Sequence, residues 1–125
     1  MSGKLPAMSL AVVGIAYANA DGSSRKANIE RMRPGDPIEL VPEPDNEHDR
    51  YAVAVVDGHG RQLGYVTAER APRIGSLIRE GRELRAVFQG VAQTGAWIRV
   101  AFDGDEPIVS KMDEPEEDVD TDWGC

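Results

Sequence analysis

Residues 40–56 read L-V-P-E-P-D-N-E-H-D-R-Y-A-V-A-V-V and hold a polar connector between two apolar segments. The flanking segments, Ile38–Val41 and Tyr51–Val56, are rich in β-branched residues, which favour strands. Proline fixes φ and removes a backbone donor, and Asn and Asp side chains hydrogen-bond their own backbone. The pattern therefore predicts two strands joined by a rigid polar loop, with His48 and Asp49 at its exit.

Four more strands are predicted from β-branched content and alternation, at Met8–Ala18, Gln62–Val66, Glu83–Val91 and Ala96–Phe102. The first of these is a nearly continuous apolar run, in which the internal Gly14 favours a buried strand over a buried helix. Turn residues at 57–60 and 93–95 predict two hairpins.

Two short helices complete the predicted elements. Ser24 is a candidate N-cap for a helix over Arg25–Arg33. A second helix begins near Ala71, with Thr67 as a candidate cap, and ends at Gly81. Six short strands with two helices predict a small, mainly β, partly open barrel.

The net charge of −8 is concentrated at the end of the chain of 125 residues. Residues 113–125 contain seven acids and no base, whereas residues 1–112 contain 14 bases and 15 acids. A block of like charges repels itself and rarely folds. We therefore predict a loose N-terminus over residues 1–7, a nearly neutral domain over 8–109 and an acidic, disordered tail over 110–125.

Composition argues against a metal site, a disulfide and an enzyme. The chain has one cysteine, Cys125, and two histidines, which are too few for a structural zinc site or an intramolecular disulfide. The single cysteine fits a reducing compartment. Gly58-His59-Gly60 lacks the phosphate-loop pattern, and His59 has no paired nucleophile. We therefore expect no cofactor, no metal and no catalysis.

Glu43–Val55 (E-P-D-N-E-H-D-R-Y-A-V-A-V) resembles the hallmark of the HIRAN domain family, whose usual form is E-P-x-N-x-Y-D-x-x-A-I-x-V. Three supporting motifs follow the family's order: Gly14-Ile15-Ala16-Tyr17, Pro34-Gly35-Asp36 and Leu63-Gly64-Tyr65-Val66. The resemblance implies a six-stranded OB-like or SH3-like barrel with two helices. It also implies a module that binds single-stranded DNA at a free 3′ end, as in fork-remodelling helicase-like proteins.

The resemblance implies that Asp49 accepts a hydrogen bond from the terminal 3′-hydroxyl. A carboxylate repels phosphate, and a charge-assisted hydrogen bond is worth about 1.5–3 kcal/mol. The alternative is that Asp49 caps the amides of its own loop. Tyr17 corresponds to the family's base-stacking aromatic, a contact worth about 1–3 kcal/mol. The alternative is a half-buried aromatic at a strand end.

Four other residues complete the predicted DNA-binding set: His48, Arg50, Tyr65 and Trp97. His48 stands where the family commonly has Tyr, and it either stacks on a base or is a solvated loop residue. Tyr65 is a further candidate contact, although a tyrosine in this motif more often packs at the edge of the core. Trp97 lies in the last hairpin, near where the family presents another aromatic, and it could instead be part of the core. Arg50 follows Asp49 at the exit of the loop.

The other charged residues favour a short contact with DNA over an extended one. Arg25, Lys26, Arg31 and Arg33 resemble a solvated helix surface, and interleaved acids weaken any broad phosphate track. Ala16 departs from the basic residue of the family's DNA-binding eukaryotic members. A contact directed at a strand end needs few positive charges and remains possible.

Two functions are therefore open. The first is a non-enzymatic, monomeric module that binds 3′ ends of single-stranded DNA in repair or fork processing, beside a helicase or nuclease. The second is a protein-interaction adaptor with little DNA affinity, which Ala16, His48 and the nearly neutral domain favour. The acidic tail either competes with DNA, with Trp123 in place of a base, or is a solubilising or partner-binding appendage.

The sequence also bears on location. No apolar run reaches the length of a membrane span. Lys4, the apolar run Leu10–Ala18 and Ala18-Asn19-Ala20 imitate a secretory signal. Cleavage there would remove Gly14 and Tyr17, which the resemblance places inside the fold, so we expect a cytoplasmic protein.

Overall fold

The structure, a computed structural model, describes residues 5–93 and 95–109. Its elements in chain order are β1 (Met8–Val13), α1 (Arg25–Glu30), β2 (Pro37–Pro42), β3 (Val53–Asp57), β4 (Gln62–Val66), α2 (Ala71–Arg79), β5 (Leu84–Ala92) and β6 (Gly95–Phe102). The predicted six strands and two helices are confirmed in type and order.

The six strands form one antiparallel barrel in the order β1-β4-β3-β2-β5-β6. β1 pairs with β6 on one side and with β4 on the other, so the barrel is closed. The expectation of a partly open barrel was wrong because these pairings join elements that are far apart in sequence. The mainly β architecture with two short helices is confirmed.

The core fills the barrel with aliphatic and aromatic side chains from alternate strand positions. The largest fully buried side chains include Leu10, Val53, Phe88 and Ile98. Both helices contribute to the same core, α1 through Ile29 and α2 through Ile74 and Leu77. The loops at the strand ends are therefore held by a rigid scaffold.

β1 is shorter than its apolar run because Gly14 turns the chain. Gly14 has φ +77°, a conformation that favours glycine, and its carbonyl accepts a hydrogen bond from the Tyr17 amide at 3.4 Å. Residues 14–17 consequently form a turn outside the strand, and the prediction of a strand through Ala18 was wrong at this end.

The caps of the two helices differ. The Ser24 hydroxyl accepts from the Ala27 amide at 3.1 Å, as predicted for the N-cap of α1. Thr67 is not the cap of α2, because the helix starts after Arg70 and has no side-chain cap bond. The Thr67 carbonyl instead accepts from the Arg70 and Ala71 amides in the preceding turn.

Several expectations fall on residues that the structure does not describe. The predicted disordered tail over residues 110–125, part of the predicted loose N-terminus and Thr94 of the last hairpin lie outside the described residues. Leu5, which is described, packs against the core, and its amide donates to Asp103. Within residues 5–93 and 95–109, neither helix has the length and apolar character needed to cross a bilayer.

Candidate nucleic-acid interface

A groove with a volume of about 840 Å³ lies where β1, β4 and the loop between β2 and β3 meet. Four of the six predicted DNA-binding residues line it: Tyr17, His48, Asp49 and Tyr65. Arg25 and Asn46, which were not in the predicted set, line it as well. The groove therefore brings together predicted residues that are far apart in the sequence, such as Tyr17 and Tyr65, which are separated by 48 positions.

Asn46 organises the loop wall of the groove. Its side-chain oxygen accepts from the amides of His48 at 2.8 Å and Asp49 at 3.0 Å. Its side-chain nitrogen donates to Glu43 Oε1 at 2.9 Å, and the Tyr65 hydroxyl donates to the same oxygen at 2.8 Å. This network ties the loop to β4, so His48 and Asp49 are held before any ligand arrives.

Asp49 uses one carboxylate oxygen to hold its own loop. Asp49 Oδ1 accepts from the Tyr51 amide at 2.8 Å. Among the described residues, no group bonds to Oδ2. The capping role and the ligand role considered from sequence are therefore compatible, because they need different oxygens of one half-buried side chain.

Tyr17 also lines the groove, in the turn that Gly14 begins. Its side chain is 71% exposed, which is uncommon for a large aromatic residue. The sequence left open whether it is a half-buried aromatic, and the structure places it in solvent at the groove. His48 is also exposed there, with its backbone fixed by Asn46.

Arg25 and Tyr65 lie together in the wall of the groove. The Arg25 guanidinium carbon is 5.3 Å from the centre of the Tyr65 ring. Arg25 is buried, although the sequence suggested a solvated helix surface. The position of Arg25 in the sequence could have predicted its burial, because Arg25 precedes the buried Ile29 by four residues and shares its helix face.

A small hydrogen-bonded loop, which contains Asn19, Asp21 and Ser23, holds the Arg25 side chain in place. Asn19 accepts from Arg25 Nε and donates to the Ser23 hydroxyl. The Ser23 hydroxyl and amide also donate to Asp21, and these bonds lower the pKa of the Asp21 carboxyl. The charge of Asp21 is therefore retained in this loop down to lower pH than in a free side chain.

Arg50 and Trp97 do not line the groove. Arg50 stacks on Tyr51, with its guanidinium carbon 5.0 Å from the ring centre, and donates to the Tyr51 hydroxyl at 3.0 Å. Trp97 lies half-buried on β6, between positions whose side chains point into the core. A role in DNA binding for these two residues stays a prediction, and it would need contacts beyond the groove.

The groove contains no cluster that would suggest a metal. Within the part of the chain that the structure describes, no three His, Cys, Asp or Glu residues come together in a way that could hold a metal ion. What the groove offers is an exposed aromatic ring, an imidazole, a carboxylate oxygen and a guanidinium. These groups suit stacking and hydrogen bonding to a nucleic acid.

The family model of the HIRAN domain matches residues 7–103. The crystal structure of the HIRAN domain of human HLTF is similar, with a TM-score of 0.62 and 18% identity over 77% of this chain and 74% of that chain. A crystal structure of a protein from Lactobacillus plantarum is similar as well, with a TM-score of 0.61 and 21% identity over 79% of this chain and 90% of that chain. No curated protein matches the sequence significantly. Identities this low show the fold alone, but the family model covers well over half of the chain, and the protein therefore belongs to the HIRAN domain family, a family of DNA-binding domains.

Proposed function

We propose that the groove binds the 3′-hydroxyl end of single-stranded DNA. The observation that carries the proposal is the meeting of Tyr17, His48 and Asp49 on one groove, with Asp49 Oδ2 unused by the described residues. Tyr17 would stack on a base, His48 would pack on the sugar or on a second base, and Asp49 would accept from the terminal hydroxyl.

Selection of an end follows from charge. A strand that ends in 3′-phosphate would place a dianion beside the Asp49 carboxylate, whereas a 3′-hydroxyl donates to it. The protein would act as a non-catalytic module that delivers a helicase or nuclease to free 3′ ends in repair or fork processing.

The test compares two oligonucleotides of the same sequence, one ending in 3′-hydroxyl and one in 3′-phosphate, by fluorescence anisotropy. We expect the hydroxyl end to bind about tenfold more tightly, since a charge-assisted hydrogen bond is worth about 1.5–3 kcal/mol. Asp49→Asn should remove most of this preference while keeping the Oδ1 contact to the Tyr51 amide.

Asp45→Asn is the matched control, because Asp45 is an exposed acid of the same loop that does not line the groove. It should keep the preference of the wild type. Equal affinity of the wild type for both ends would remove Asp49 from this role. Absence of measurable DNA binding would favour the protein-interaction adaptor.

A further inference from the structure

Arg25 is a buried cation in the wall of the groove. It is 9% exposed, and an arginine side chain is charged at any pH that a protein survives. Burying a charge is costly unless an opposite charge or several hydrogen bonds compensate it. The groups that contact Arg25 should therefore indicate whether its charge is compensated within the protein or by a ligand.

The described contacts of Arg25 are all neutral. Nη1 donates to the Gly14 carbonyl at 2.8 Å, and Nε donates to the Asn19 side-chain oxygen at 2.8 Å. The Tyr65 ring supplies a cation–π contact. No carboxylate among residues 5–93 and 95–109 forms an ion pair with Arg25, so its positive charge is oriented but not cancelled.

One arm of the guanidinium remains available to a ligand. Nη2 makes no hydrogen bond to any described residue. Every buried side-chain nitrogen or oxygen in the described part of the chain has a partner, so Nη2 must reach solvent. Arg25 is one of the residues that line the groove, so a ligand in the groove lies next to this guanidinium.

We propose that Arg25 binds a backbone phosphate of the DNA strand in the groove. This inference rests on the proposed function, and it identifies Arg25 as the residue that holds the phosphate. The side chain is fixed by two hydrogen bonds and an aromatic ring, so little conformational entropy is lost when it binds an anion. Arg25 thereby supplies the positive charge that Ala16 does not.

The Arg25 guanidinium and the Asp49 carboxylate together explain a preference for a 3′ end better than Asp49 does alone. A 3′-terminal nucleotide carries a hydroxyl on one side of its sugar and a phosphodiester on the other. Asp49 accepts from the hydroxyl, and Arg25 donates to the phosphodiester. An internal nucleotide has phosphates on both sides, and one of them would face Asp49.

The test is a salt series of anisotropy titrations with a 3′-hydroxyl oligonucleotide. Arg25→Gln should weaken binding about tenfold at low salt and should lower the slope of log K against log salt by about 0.7, the value for one lost phosphate contact on a single strand. Arg73→Gln removes the same charge from an exposed position of α2 outside the groove and should change the slope far less.

A second measurement uses the wild-type protein, so it does not depend on the folding of a variant with a buried substitution. Oligonucleotides that carry one uncharged methylphosphonate at each of the three 3′-terminal linkages in turn are compared with the unmodified strand. The oligonucleotide with the methylphosphonate at one of these linkages should bind about tenfold more weakly than the unmodified strand. Arg25→Gln, provided that thermal unfolding shows it to be folded, should bind these two oligonucleotides with equal affinity.

The outcomes separate this proposal from the one on which it rests. End preference with no effect of any methylphosphonate, or with a folded Arg25→Gln that keeps the wild-type slope, overturns the role of Arg25 alone. Phosphate dependence at Arg25 without any end preference keeps Arg25 and overturns the 3′-hydroxyl proposal. A wild type that does not bind DNA overturns both.

Discussion

Replacing Tyr17 with alanine is expected to weaken the binding of single-stranded DNA by about 1–3 kcal/mol, or about 5- to 150-fold in Kd. The reason is the loss of a stacking surface, because the ring is 71% exposed at the groove and is free to lie against a base. Tyr17→Phe keeps the ring and should bind nearly as well as the wild type. The measurement is a titration with a 3′-hydroxyl oligonucleotide at fixed salt.

The stability of the protein should hardly change in Tyr17→Ala, since surface substitutions usually shift the free energy of unfolding by less than about 0.5 kcal/mol. Tyr51→Ala is the matched control, because Tyr51 is a second exposed tyrosine that does not line the groove. It should leave DNA affinity unchanged. Equal affinities of Tyr17→Ala and the wild type would show that Tyr17 does not stack on DNA.

Replacing Gly64 with alanine is expected to lower the free energy of unfolding by about 2–5 kcal/mol, as overpacking and backbone strain add. Gly64 lies in β4 with φ +158°, and a Cβ there would collide with the backbone carbonyl oxygen of Val13 and lie 2.9 Å from Val12 Cγ1. The obstacle is a strand backbone, which cannot rotate away as a side chain could. Urea denaturation measures the loss.

Gly58→Ala provides the comparison for Gly64. A Cβ at Gly58 meets no atom within 4 Å, and its φ is not positive. Its stability should stay within about 0.5 kcal/mol of the wild type. Equal denaturation midpoints for the two alanine variants would contradict the close approach of β1 and β4 at Gly64.

Local patterns in the sequence were sufficient to predict the elements of the fold. β-Branched runs marked the strands, Ser24 marked the start of α1, and the turn residues after Asp57 marked a hairpin. Each of these signals acts within a few residues. The closure of the barrel could not be predicted in this way, because β1 pairs with β6 at a separation of more than 80 residues.

The candidate site was predictable where it lies in one motif and less so where distant segments meet. Asn46 and Asp49 are hydrogen-bonded to each other within one loop, so both residues stand in one short sequence motif that can be recognised. The burial of Arg25 depends on Gly14 and Tyr65, which come from other elements. For Trp97, strand alternation between Ala96 and Ile98 does predict a side chain directed away from the core.

The closure of the barrel has a consequence for base selectivity. Within the described residues, two register pairs join β1 to β4, Val12 with Val66 and Val13 with Tyr65, whereas eight join β5 to β6. The groove lies beside this short junction, with Tyr17 beyond the end of β1 and Tyr65 in β4. The groups that this junction helps bring together at the groove are a stacking ring, a carboxylate and a guanidinium, and stacking tolerates every base. Purines and pyrimidines should therefore fit equally well at the strand end, and affinity should depend little on which base is there.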